Sequence, residues 1–316
     1  MENIDIHYNK EGVAMIIAQL NGGLGNQMFQ YAFGRHLAQK QYSVLKLDLS
    51  DIERGKYRPY GLHCFNIQEQ IANRTDINFF MRGKYLTRFK KLSYVILRKI
   101  GYRSNINSLL HKGEIIKEEF GDFSKYNPDI INKTDSLYLI GYWQTEKYFS
   151  PIRNVLLKEF TIKYPQDSTN KKLSEIIQAS NSVSVHVRRG DYISNSDYFQ
   201  FHGVCSIDYY IKAVNYIAGL IDKPQFFIFS DDPLWTKSNI NLPYPTHFID
   251  HNANQDYEDL RLMSQCRHNI IANSSFSWWG AWLNKNPDKV VCAPKKWYEN
   301  ENININDLIP FDWVKL

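Results

Sequence analysis

The chain has 316 residues, 43% of them hydrophobic and 22% charged, with a formal net charge of +5. That composition excludes disordered and fibrous classes, and no apolar run reaches the ~18 residues that a bilayer span needs. The small positive excess does not argue for nucleic acid as a partner. Four cysteines, Cys64, Cys205, Cys266 and Cys292, are scattered with no CxxC pair. They read as reduced thiols in a cytoplasmic protein, and the charged start of the chain lacks a signal-peptide core.

In chain order, Val13–Leu20 ("VAMIIAQL") reads as a buried strand, followed by the glycine-rich turn Asn21–Gly25 and a helix. Phe29, Phe33 and Leu37 recur at four-residue spacing, giving that helix an inward stripe. Ser43–Leu49 ("SVLKLDL") is the next strand, and β-loop-α-β order predicts a parallel sheet. From Asp51 to Asp135 the pattern weakens to short helices and loops. Within it, Arg82–Arg103 carries Arg82, Lys84, Arg88, Lys90, Lys91, Arg98, Lys99 and Arg103 with no acid. The plain reading is a solvated helix face. The sharper one is a patch for a charged acceptor or for peripheral contact with the inner face of the cytoplasmic membrane.

Ser136–Ile140 is a further strand and runs into Gly141-Tyr142-Trp143-Gln144. The polar, breaker-rich stretch Tyr164–Asn170 is the best linker in the chain. It divides the protein into domains 1–164 and 165–316. Beyond it, strands and helices alternate again. "SVSVHV", "PQFFIFS" and "HNIIA" read as strands, while "DYEDLRLMSQC" and "SSFSWWGAWL" read as helices. The expected architecture is α/β, two domains with a cleft between them.

The chemistry gathers at the ends of three second-half strands, where ligands of open α/β sheets bind. The first ends His186-Val187-Arg188-Arg189-Gly190-Asp191, with period 2 turning the two arginines to opposite faces. The second ends Ser230-Asp231-Asp232. The third ends Asn273-Ser274-Ser275 and enters a helix at once. Free amides at that helix start, beside Arg188 and an acidic pair, suit a nucleotide diphosphate. The plain alternative is ordinary capping. No Asp-x-Asp occurs in the chain, and His247 and His251 lack further zinc ligands, so no metal is expected. Leaving-group charge would then fall on arginine and a helix dipole.

Gly23-Leu24-Gly25-Asn26-Gln27-Met28 matches only part of the dinucleotide fingerprint, with Asp48 closing the next strand. An NAD(P)-dependent oxidoreductase is the rival reading. Alternatively, Gly22, Gly23 and Gly25 admit a ligand to the backbone, while Asn26, Gln27, Trp143 and Gln144 suit a sugar.

Four motifs, "GGLGNQMFQYAFG" (22–34), "GYWQTEKYF" (141–149), "HVRRGDY" (186–192) and "NSSFSWWGAWL" (273–283), resemble in that order the bacterial α-1,2-fucosyltransferases of glycosyltransferase family 11. The resemblance covers nearly the whole chain and is weakest over Asp51–Asp135. It implies a GT-B architecture of two Rossmann-like domains facing a cleft, with residues 1–164 on the acceptor side and 165–316 binding GDP-fucose. It also implies metal-independent, inverting transfer from GDP-β-L-fucose to the 2-hydroxyl of a terminal β-galactose in an oligosaccharide or surface-glycan precursor. Arg188 would meet the β-phosphate. His186 and Asp231 or Asp232 would read the guanosine, and Ser274 and Ser275 would hold phosphate oxygens. Arg189 and Asp191 would brace the loop, and Asn26 would approach the fucose or the attacking hydroxyl. Gly25, Gln27, Trp143, Gln144, Ser230, Asn273 and Phe276 complete the expected site. No cofactor beyond the donor substrate is implied.

Overall fold

The computed structural model describes residues 14–55, 58–81, 113–194, 196–253, 255–300 and 302–316. The basic stretch Arg82–Arg103 lies outside the described residues.

Two parallel sheets carry the chain. The first is built from β1 (Met15–Gln19), β2 (Val44–Asp48), β3 (Gly113–Lys117) and β4 (Ser136–Ile140), in the order β2-β1-β4-β3. The second is built from β5 (Asn181–Val187), β6 (Pro224–Ser230), β7 (Thr246–Ile249), β8 (His268–Ile270), β9 (Val291–Ala293) and β10 (Val314–Lys315), in the order β10-β9-β8-β5-β6-β7. Every pairing is parallel. Parallel sheets need crossovers on their faces, and this burial explains the continuous apolar runs. Two such Rossmann-like sheets make the GT-B arrangement expected from the sequence.

β5 shows how a central strand tolerates polar residues. Val183, Val185 and Val187 are buried on one face, and Ser182, Ser184 and His186 are equally enclosed on the other. The two serines accept bonds from the β8 side, Ser182 Oγ from the Arg267 amide at 3.1 Å and Ser184 Oγ from Asn269 Nδ2 at 2.7 Å. Their hydroxyls are therefore not stranded.

Helix α1 (Leu24–Lys40) buries the predicted stripe of Phe29, Phe33 and Leu37, but also Gln27, Gln30 and Tyr31. It is covered on a second side by the tryptophan-bearing helix that follows β8. Phe29 lies 4.5 Å from Trp278 and 5.0 Å from Trp279, and Phe149 stacks on Trp279 at 5.3 Å. One hydrophobic core thereby runs across both halves. Much of the high aromatic content is used in this seam.

Two readings need correction. Helix α2 (Ser168–Ala179) begins inside the predicted linker, with Asp167 accepting the Asn170 amide at 2.7 Å. Asn170 itself is fully buried against Asn252. Capping residues and linker residues are the same polar types, which is why the pattern misled. The short edge strand β3 also lies in the region read as helices and loops.

Candidate active site

The second-half residues converge at the carboxyl end of β5. Arg188 pairs with Asp231 at 3.2 Å and lies over the Tyr192 ring at 5.4 Å. The other Asp231 oxygen accepts the Arg189 amide at 2.8 Å. Arg189 turns away, as period 2 requires, and lies 3.5 Å over Trp235 with Asp232 at 3.7 Å. Its stacked guanidinium suits a brace. Asp232 also caps helix α3 (Pro233–Asn239) through the Trp235 amide, and Ser230 Oγ accepts the Asp232 amide at 3.0 Å. The adjacent carboxylates thus diverge onto separate partners. Asp191 lies in the short helix Gly190–Ser194.

His186 is 4% exposed, and among the described residues its Nδ1 has no hydrogen-bond partner. Burial lowers its pKa to about 4, partly opposed by Asp231, and Arg188 adds to the lowering. The ring is therefore neutral at physiological pH, with an unused polar atom and Phe276 5.6 Å away. A buried polar atom without a partner is the kind of group a ligand completes.

Helix α5 (Ser275–Leu283) starts beside these groups, capped by Ser274 Oγ, which accepts the Phe276 amide at 3.3 Å. Asn273 acts behind it. Its Nδ2 reaches the carbonyls of His202 and Trp297 at 2.9 and 3.2 Å, so its amide ties loops together and does not face the site.

The glycine loop of the first half meets this helix start directly. A Cβ on Gly25 would lie 2.5 Å from the Ser275 carbonyl carbon and 2.6 Å from the Phe276 nitrogen. Trp279 Nε1 donates to the Gly25 carbonyl at 3.0 Å. The starts of α1 and α5 therefore adjoin, and neither has an acidic residue in its first turn. Two positive dipole ends thus meet near the end of β5, where His186 lies 5.6 Å from Phe276, and such ends favour an anion.

Other first-half expectations change. Gln27 is fully buried, bonded to the carbonyls of Gly22 and Pro59 and to the Gly61 amide, so it fastens a loop. Trp143 is 2% exposed and packs on Phe33 and Tyr148. Gln144 is buried too, with Nε2 on Asn26 Oδ1 at 2.9 Å and Oε1 on the Tyr298 hydroxyl at 3.1 Å. These three brace the site from behind. Asn26 alone among the predicted first-half amides stays half-buried. Asp48, needed by the oxidoreductase reading, is buried and bonded to the Tyr138 hydroxyl and the Ser50 amide at 2.5 and 2.9 Å. Both of its carboxylate oxygens are thus engaged by protein groups.

Sequence reading missed Arg58, which lies where no periodic pattern or motif marks it, and Asp256, which opens a segment read only as a helix. The Arg58 stem passes Gly23, whose Cβ would stand 3.7 Å from Arg58 Cδ. Asp256 opens helix α4 (Asp256–Gln265). The protein around this solvent-reached carboxyl raises its pKa, against the Tyr257 amide and the charges of Arg58 and Arg188. A groove of about 480 Å³ lies elsewhere, lined by Phe65, Phe160, Arg261 and Arg267 among others. Its arginines are already engaged, Arg261 by the Tyr164 carbonyl and Arg267 by Asn181. The strand-end constellation is chemically the better site.

Residues 15–316 match the sequence profile of glycosyl transferase family 11. The chain belongs to that family. It is a glycosyltransferase, which removes the oxidoreductase reading. An α-1,2-colitosyltransferase of Escherichia coli is 36% identical over 96% of this chain and 99% of its own length. The O-antigen biosynthesis glycosyltransferase WbnK of Escherichia coli is 34% identical over 94% and 99%. Among solved structures, the fucosyltransferase NodZ from Bradyrhizobium aligns with 85% of this chain and 93% of its own at TM-score 0.47 and 12% identity.

Proposed function

We propose that this glycosyltransferase moves L-fucose from GDP-β-L-fucose to the 2-hydroxyl of a terminal β-galactose, with inversion and without a metal. The observation that carries the donor reading is the meeting of Arg188, two acid-free helix starts and the unsatisfied Nδ1 of neutral His186. A diphosphate fits the first two and a purine edge fits the third. The oxygen of the acceptor's 2-hydroxyl bonds to the anomeric carbon as the bond to the β-phosphate breaks, and the hydroxyl proton is released to water. Arg188 and the helix amides receive the charge that develops on GDP. Residues of the first half would hold the acceptor. The divergent partners of Asp231 and Asp232 support a reaction in which these cations replace a metal.

The 36% identity with a colitosyltransferase favours a second donor, since colitose is fucose without its 3-hydroxyl. Thermal-shift and transfer assays with GDP, GDP-fucose, GDP-colitose and NAD, each with and without EDTA, separate the readings. GDP is expected to raise Tm and NAD to leave it unchanged, and GDP-fucose to support transfer in EDTA. Strict dependence on a divalent cation would defeat the metal-free mechanism. A strong preference for GDP-colitose would move the specificity to the deoxy sugar.

A further inference from the structure

A file of hydrogen-bonded side chains runs from the second half into the first and ends on Asn26. The Tyr298 hydroxyl donates to Gln144 Oε1 at 3.1 Å, and Gln144 Nε2 donates to Asn26 Oδ1 at 2.9 Å. Tyr298 and Gln144 are buried at 7% and 6% exposure, so the bond between them is shielded from water.

The tyrosine's donation sets the direction of the file. Gln144 offers its carbonyl to Tyr298 and its NH₂ to Asn26, so Asn26 accepts through Oδ1. The remaining group on Asn26 is its NH₂, which occupies the place a Cβ on Gly22 would take, where φ is +72° and only glycine is comfortable. The backbone just before Tyr298 is anchored as well, since the Trp297 carbonyl accepts from Asn273 Nδ2 at 3.2 Å, at the entry to helix α5. The file thus joins the phosphate side of the site to the sugar side.

We propose that Tyr298 and Gln144 are positioning residues that lock Asn26 as a hydrogen-bond donor to an oxygen of the sugar nucleotide in the transition state. So polarised, Asn26 does not accept the proton of the attacking hydroxyl. The inference rests on the transfer reaction proposed above.

Gln144→Glu tests it at nearly constant shape. A carboxylate accepts from Tyr298 and also from the Asn26 NH₂, so the amide turns over and presents its oxygen to the substrate. The expected result is a fall in kcat of about 100-fold, the scale of losing one transition-state donor. GDP affinity by calorimetry should stay within about twofold, because that ligand lies on the second-half cradle. Asn26→Ala should lose a similar amount, and the double variant no more than either single one. Tyr298→Phe keeps the ring but removes the proton that orients Gln144, and should cost about tenfold in kcat alone. Wild-type turnover in Gln144→Glu, fully additive losses, or GDP affinity falling in step with kcat would each overturn the inference while leaving the transferase reading standing. A wild-type protein that neither binds GDP nor transfers a sugar from it would instead overturn the parent reading, and this inference with it.

Discussion

The two helix starts that meet across the halves differ in what they contribute. α1 follows Gly23, has no side-chain cap and lets its backbone touch the opposite helix at Gly25. α5 is capped by Ser274 and starts beside the end of β5, where Arg188 pairs with Asp231 from the end of β6. Both stand where open α/β sheets bind ligands. One supplies close approach and an amide, and the other supplies charge. The contrast teaches that topology offers two ligand positions, and the proposed function assigns the phosphates to the charged one and the sugar to the other.

The sharpest way to break this division is at the charged member. Arg188→Ala should lower the transfer rate about 100- to 1000-fold, or about 2.7–4 kcal/mol of transition-state stabilisation. The fold should persist, because Asp231 keeps its bond to the Arg189 amide. Steady-state kinetics beside a melting curve checks both, and near-normal turnover would return the phosphates to the glycine loop.

A smaller effect is expected at the uncharged member. Gly25→Ala sets a methyl group against the backbone of Ser275 and Phe276, which no rotamer change relieves. Overpacking of this kind costs about 1–3 kcal/mol. Urea denaturation should register it, and GDP affinity should weaken in parallel as the helix start is displaced. An unchanged midpoint would mean that the halves are not in close backbone contact.

The smallest effect concerns the turn that carries Gln144. Glu118 accepts the amides of Tyr142 and Trp143 at 2.7 and 3.1 Å, yet burial outweighs them and raises its pKa to about 8. A carboxyl with a raised folded-state pKa binds its proton more tightly when folded. Its contribution is therefore complete below the unfolded value of 4.5 and is lost as pH rises through about 8. Asp259, raised to about 7 chiefly by burial, acts with the same sign. Glu118→Gln should flatten, without abolishing, the decline in denaturation midpoint between pH 5 and 8. An identical pH profile in the variant would place the titrating group elsewhere.

Much of the second half was legible because its strand ends are punctuated. A β-branched run stopping at two arginines and a glycine fixed both the strand and the divergence of Arg188 from Arg189. The first half was harder to read. Gln27, Trp143 and Gln144 have the residue types of a sugar site, but they are enclosed and bonded to protein. A polar amide in sequence does not disclose whether its partner is a ligand or a distant carbonyl.

Sequence by itself determined the alternation of strands and helices, the family, and the charged strand-end motif, because each depends on periodicity or on residues close together in the chain. Tertiary structure alone decided that Gly25 abuts Ser275, that the charges of Arg58 and Arg188 act on Asp256, and that Tyr298 bonds to Gln144 and Gln144 to Asn26. Those facts depend on contacts between residues as far as 250 positions apart along the chain, such as Gly25 with Ser275. Local patterns carry no record of such pairs, since the packing of two whole sheets creates them.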